Sequence, residues 1–228
     1  MMCRDGRSST RASVGKVGET LAGEIPFASP VFTTKEVARA AGVSPSEASR
    51  ELAILEAEGN VMKVRQALWA IPHHPDFSIY AVVPRLVSAG ERGYVSLLSA
   101  LNLHGMIEQI PRRVHVMTTR HRPDLVTPLV RYEIHQIQPR LCGGFGPYRG
   151  KGNFDIATPA KAMFDTLYLS TRKRRRFSAL PEVEIPRTFS EAEMDEWIGR
   201  ITAHSVQTAV RRRWAAVSAA AFWEKPRE

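Results

Sequence analysis

The chain has 228 residues, 43% of them hydrophobic and 24% charged, which is the make-up of an ordinary globular protein. Lysine and arginine number 32 against 23 acidic residues, a formal net charge of +9 that favours a polyanionic partner, nucleic acid first among them. No apolar run reaches the roughly 20 residues of a bilayer span, and Cys3 and Cys142 offer neither a disulfide framework nor a Cys-x-x-Cys zinc pair, so a reducing cytoplasm is expected.

Residues 1–15 are polar and basic, lack an apolar signal core, and are expected to be a disordered tail. Lys16 to Glu24 predicts a first helix with Val17, Leu21 and Ile25 inward, and Pro26 and Pro30 bracket the link to Phe32. Thr33-Thr34 can cap a short helix whose apolar side carries Val37, Ala38 and Ala41, and Gly42 supplies a left-handed stop. Ser44 is the next N-cap, Pro45 takes the first helical position, and Glu47 lies where a capping box needs it. A second helix therefore runs from about Pro45 to Glu58 and stops at Gly59. Ala48, Leu52 and Leu55 form its core side, while Ser46, Glu47, Ser49, Arg50 and Ala53 form the opposite side. Val61 to Val64 and Ala67 to Ile71 alternate as two short strands around Arg65-Gln66.

Helix, tight turn, capped helix, glycine stop and hairpin in this order predict a winged helix-turn-helix domain over residues 16–74. Such a domain can lay one helix in the DNA major groove. The candidate DNA-binding residues are Ser44, Ser46, Ser49, Arg50, Lys63, Arg65 and Gln66. Glu47 and Glu51 oppose phosphate approach, whereas Arg39, Arg50, Lys63 and Arg65 favour it. The unbroken run Arg172, Lys173, Arg174, Arg175, Arg176 and the triplet Arg211-Arg212-Arg213 add basic charge. The first run and Arg39 are candidates for phosphate contact, which raises affinity in a salt-dependent way with little sequence information.

Pro72 to Asp76 marks a boundary. His73 and His74 are adjacent and point to opposite sides of an extended segment, so no metal site is expected there or elsewhere. A second, mixed α+β domain is expected over 77–221. Ile79 to Val87 is an apolar strand or short helix, and Ser96 caps a helix that ends near Gly105. Val114 to Thr119 and Tyr132 to Ile137 alternate as strands, Cys142 to Gly152 is a glycine-rich turn, and Phe154, Ile156 and Thr158 suggest a last strand. Thr158-Pro159 opens a helix in which Asp165 is expected to face solvent or act as a cap. Ser190 to Glu193 is a capping box for a helix through Ile201, and Ser205 to Ala221 forms the final helix, giving the domain a helical C-terminal end.

With these segments in order, the chain resembles the AbiEi antitoxins of type IV toxin–antitoxin systems over roughly residues 17–217. The carriers are the hairpin end Trp69-Ala70-Ile71, the segment Gly93-Tyr94-Val95-Ser96-Leu97-Leu98-Ser99-Ala100-Leu101, the strand Val114-His115-Val116-Met117-Thr118-Thr119, and Ile156-Ala157-Thr158-Pro159-Ala160-Lys161-Ala162-Met163-Phe164-Asp165. The last is similar to the family's ATPEKALLD segment, with Ala160 where the family often has Glu and Phe164 where it often has Leu. The resemblance implies an N-terminal domain that binds inverted repeats in its own promoter and represses transcription. It implies a C-terminal domain that counters a nucleotidyltransferase-like toxin without a stable complex. No cofactor and no enzymatic activity are expected. A second reading is a nuclease targeted by the winged helix, with Glu133 and Asp155 as its acids, although Glu133-Ile134-His135 lacks the lysine of a restriction-type site. A third is a ligand-sensing regulator without a toxin partner.

Overall fold

The computed structural model describes residues 15–22, 30–87, 90–171 and 180–223. Their contacts divide the chain into two units, Met1–Phe77 and Ser78–Glu228, and helices and strands mix in both. Cys3, Ile25, Pro26 and the run Arg172 to Arg176 lie outside the described residues.

Among the described residues of the first unit, three helices, α1 (Lys16–Ala22), α2 (Thr34–Ala41) and α3 (Pro45–Ala57), accompany three strands, β1 (Val31–Thr33), β2 (Met62–Arg65) and β3 (Leu68–Ala70). Local chemistry fixes the helix ends. Thr33 and Glu36 close a reciprocal capping box at the start of α2, and Gly42 ends it at φ 66°, where a side chain would be strained. Ser44 Oγ accepts the Glu47 N–H at 3.2 Å, with Pro45 behind it. Val17, Phe32, Val37, Ala38, Ala48, Leu52, Val61 and Trp69 fill the core. The buried Trp69 indole N–H donates to Thr34 Oγ1 at 2.9 Å, tying the sheet to the start of α2.

The sheet is antiparallel in the order β1-β3-β2. One strand is unexpected and one turn shifts. Val31–Thr33 forms an edge strand that its three residues are too few to announce by alternation. The hairpin turn falls on Gln66-Ala67 rather than Arg65-Gln66, because Arg65 pairs with Leu68 and Ala67 takes φ 58°.

Among the described residues of the second unit, the main sheet has six strands: β4 (Tyr94–Val95), β5 (Arg113–Thr118), β6 (Leu125–Val126), β7 (Arg131–Gln136), β8 (Phe145–Pro147) and β9 (Asp155–Ala157). Their order is β6-β7-β5-β4-β9-β8, with parallel pairs β5–β7 and β4–β9. The helices are α4 (Leu97–Leu103), α5 (Pro159–Ser170), α6 (Glu191–Gly199) and α7 (His204–Ala220). All twelve residues of α5 are buried, and it packs against α4, α6 and α7, so it is the central helix of this unit. Ile79–Arg85 is a 3₁₀ helix.

The expected last strand at Phe154 to Thr158 is shorter and is not the last. Two further strands, β10 (Glu184–Ile185) and β11 (Phe222–Trp223), pair in parallel, so a strand follows the final helix. Ser96 precedes α4 without capping it through its side chain, because its hydroxyl is committed to Asp165. The glycine-rich stretch is no free turn. It contains β8, and Gly144 carries its carbonyl to Thr158 N–H at 2.8 Å. No described helix is long and apolar enough to cross a membrane.

Candidate functional site

On α3 the positions 46, 49 and 50 fall at the i, i+3, i+4 spacing of one helix face, and Ser46, Ser49 and Arg50 are all exposed. Ser44 is exposed too, but its hydroxyl caps the helix, which makes it a positioning residue. Arg39 stands exposed in the last turn of α2. Lys63, Arg65 and Gln66 are exposed on the hairpin. The Lys63 ammonium lies 5.6 Å from the Trp69 ring centroid, and its backbone N–H donates to Glu56 Oε1 at 3.1 Å, which steadies the strand against α3.

Glu51 also has a structural task. Its carboxylate accepts the Val17 N–H at 2.9 Å, so its charge is drawn to the start of α1. Every described residue of the candidate DNA-binding set therefore presents to solvent, on α2, α3 and the hairpin of one small unit. The triplet on α7 is divided: Arg211 and Arg212 are exposed, while Arg213 donates to Ser170 Oγ at 2.9 Å.

In the second unit Asp165 overturns its expectation. It is fully buried on α5, where it pairs with Lys161 and accepts from Ser96 Oγ at 2.8 Å and Tyr94 Oη at 3.1 Å. The Lys161 ammonium sits 4.6 Å from the Trp197 ring centroid and 4.8 Å from that of Phe164. Burial pushes the Lys161 amine below its usual value, against the pull of Asp165, and pushes the Asp165 carboxyl above its own, against Lys161. This group has no accessible surface and binds the fold together.

Glu133 and Asp155, the acids of the nuclease reading, are not brought together. They lie on β7 and β9 with two strands between them, on the order of 14 Å at ordinary strand spacing. Glu133 instead joins two histidines. In the parallel β5–β7 ladder His115 stands opposite Glu133 and Met117 opposite His135. The two-residue alternation places His115, Glu133 and His135 on one face of the sheet. His115 Nδ1 lies 3.2 Å from His135 Nε2 and 3.6 Å from Glu133 Oε2, and His135 Nε2 lies 4.0 Å from the same oxygen. All three residues are buried, and the other Glu133 oxygen pairs with Arg113. This is the one group among the described residues whose histidine, cysteine and carboxylate atoms converge closely enough to hold a metal ion.

The strand pattern marks Glu133 and His135 but not His115. Glu-x-His on an alternating strand was the visible half of the signal. The other half is the register between strands 18 residues apart, which a single strand pattern does not contain. His73 and His74 form no such group; His74 Nδ1 accepts the Asp76 N–H in the linker turn. No protein-family model matches the sequence, and no curated protein matches it significantly.

Proposed function

We propose that residues 16–74 are a winged helix-turn-helix and that the protein is a DNA-binding transcriptional repressor of its own operon. The observation that carries this reading is the exposed Ser46, Ser49 and Arg50 face of a helix capped at Ser44 and seated on its core by Ala48 and Leu52. In the major groove such a face reads base edges, with arginine suited to guanine. Arg39, Lys63 and Arg65 supply cations on both flanking elements for phosphates. The net charge of +9 supports the same partner. The resemblance to AbiEi antitoxins extends the proposal: the second unit counters a nucleotidyltransferase-like toxin, without a stable complex.

The test is fluorescence anisotropy of the full chain with a labelled duplex from upstream of its own gene, beside a scrambled duplex, across a salt series. Binding that prefers the upstream duplex and weakens steeply with salt is expected. Equal, weak binding to both duplexes overturns the repressor reading. For the antitoxin extension, co-expression with a neighbouring nucleotidyltransferase is expected to restore growth, and failure to do so removes that part alone.

A further inference from the structure

The geometry points to a mononuclear divalent metal site, of zinc type, at His115, Glu133 and His135. It is a property of the second unit and is independent of DNA binding by the first. Two imidazole nitrogens and one carboxylate oxygen are a zinc donor set of the open, three-ligand kind. Zinc bonds of about 2.0–2.1 Å to nitrogen and oxygen put tetrahedral donors about 3.3 Å apart. The three donor–donor distances, 3.2, 3.6 and 4.0 Å, bracket that spacing, so side-chain shifts of a few tenths of an ångström complete three corners of a tetrahedron.

The surroundings fit a ligand set as well. Adjacent β-strands in register hold all three side chains on one face, which fixes their directions before any ion arrives. Arg113 engages Glu133 Oε1, leaving Oε2 as a single oriented donor, as a carboxylate ligand is commonly held by an outer hydrogen bond. Ser99 Oγ accepts the His115 backbone N–H at 2.9 Å and donates to the Arg113 carbonyl, anchoring the strand beside the donors. His115 and Glu133, though not His135, also line a cavity of about 520 Å³, together with Arg112, Arg113 and Arg131. Three protein donors leave a fourth coordination position for water or a small anion such as phosphate.

The experiment uses tag-free full-length protein, stripped with chelator and titrated with cobalt(II). Expected are visible ligand-field bands of four-coordinate intensity that saturate at one ion per chain and are bleached by zinc. His115→Gln, Glu133→Gln and His135→Gln are each expected to weaken cobalt binding by about a hundredfold or more, beyond what loss of an outer partner costs. The double variant H73Q/H74Q is expected to bind as the parent does. Circular dichroism and a melting curve of each metal-free variant separate lost ligation from lost folding, and the unmutated titration stands whether or not the variants fold. Absence of a saturable spectrum, weak bands of six-coordinate type, or binding that depends on His73 and His74 overturns the site.

Discussion

Lys161 and Asp165 stand one helical turn apart on α5, pair with each other, and expose none of their side-chain surface. The pair is accommodated because its outer valences are also used. Tyr94 and Ser96 donate to the carboxylate, and the ammonium lies against the Phe164 and Trp197 rings. Removing one member leaves the other charge buried alone. Lys161→Met is therefore expected to cost about 3–5 kcal/mol, whereas the double variant K161M/D165N should lie closer to the parent, because Asn still accepts from Tyr94 and Ser96. Urea unfolding of the four proteins of this cycle gives the coupling directly. If the two single losses simply add, the pair is not coupled.

The same variant carries a pH signature. Burial already holds the Asp165 carboxyl above its usual value, and Lys161 works against that rise. Without the lysine the folded value stands still higher, so as pH falls the native state takes up its proton before the unfolded state does. The stability of K161M is thus expected to rise as pH drops from neutrality toward the unfolded carboxyl value. Melting temperatures measured from pH 7 down to pH 4, parent against variant, check the sign. A variant whose deficit is the same at every pH rules out a buried carboxylate as its cause.

Gly144 and Gly146 look equivalent in the sequence and differ in the fold. Gly144 has φ 64°, and a Cβ there would meet the Trp197 ring at 2.8 Å and Glu193 at 3.0 Å; Gly146 has open space around it. Gly144→Ala combines a left-handed penalty with a clash against a buried ring and is expected to cost about 2 kcal/mol or more. Gly146→Ala should stay within about 0.5 kcal/mol. Denaturation midpoints of the two variants decide it, and equal effects would remove the close packing of Gly144 on Trp197 from the account.

These two glycines also show where sequence legibility stops. Helix ends were legible because their causes are local: Thr33, Ser44, Thr158 and Ser190 each accept from a backbone N–H in the first turn of the helix that the sequence expectation gave them. Ser96 has the same local context, yet its hydroxyl turns to Asp165, 69 residues away. Asp165 followed the same rule in reverse. An acid in a helix is usually solvated, and only the packing of α5 among three helices makes this one internal. Two-residue strands such as β4 and β10 carry too few residues to show a period. The exposed face of α3 was legible from spacing alone. The histidine cluster was not, because it exists only once β5 and β7 lie side by side.

His104 supplies a prediction near neutral pH. Its Nε2 lies 2.7 Å from the Ala157 carbonyl oxygen, so that nitrogen carries the hydrogen and donates it. Burial lowers its ring below the usual 6.5, with the carbonyl contact opposing the shift. Because the folded value lies below the unfolded one, the unfolded chain protonates first as pH falls. The contribution is fully present above about pH 6.5 and is lost as pH falls through that value toward the folded one. His104→Gln keeps an N–H donor but does not titrate. The stability difference between parent and variant should therefore change in this window and be flat above it. Urea midpoints at a series of pH values between 5 and 8 give that difference, and a constant difference contradicts the assignment.

The last prediction separates reading from holding on the proposed DNA surface. Arg50 lies on the exposed face of α3 with Ser46 and Ser49, whereas Lys63 lies on β2 with its ammonium beside Trp69. If α3 enters the major groove, Arg50→Ala should reduce the preference for the upstream duplex over a scrambled one by about 1–3 kcal/mol. Lys63→Ala should weaken both duplexes alike and flatten the salt dependence by about one unit of slope. Charge removal across Arg172 to Arg176 is expected to act as Lys63→Ala does, since a basic run touches phosphates without reading bases. Neither Arg50 nor Lys63 is buried, so both variants should keep the fold, with Lys63→Ala losing only its ammonium contact with Trp69, worth about 1 kcal/mol or less, and binding differences can be attributed to the surface. An Arg50→Ala protein that loses equally on both duplexes would move base recognition away from α3, while a Lys63→Ala protein that changes the preference would move it onto the hairpin.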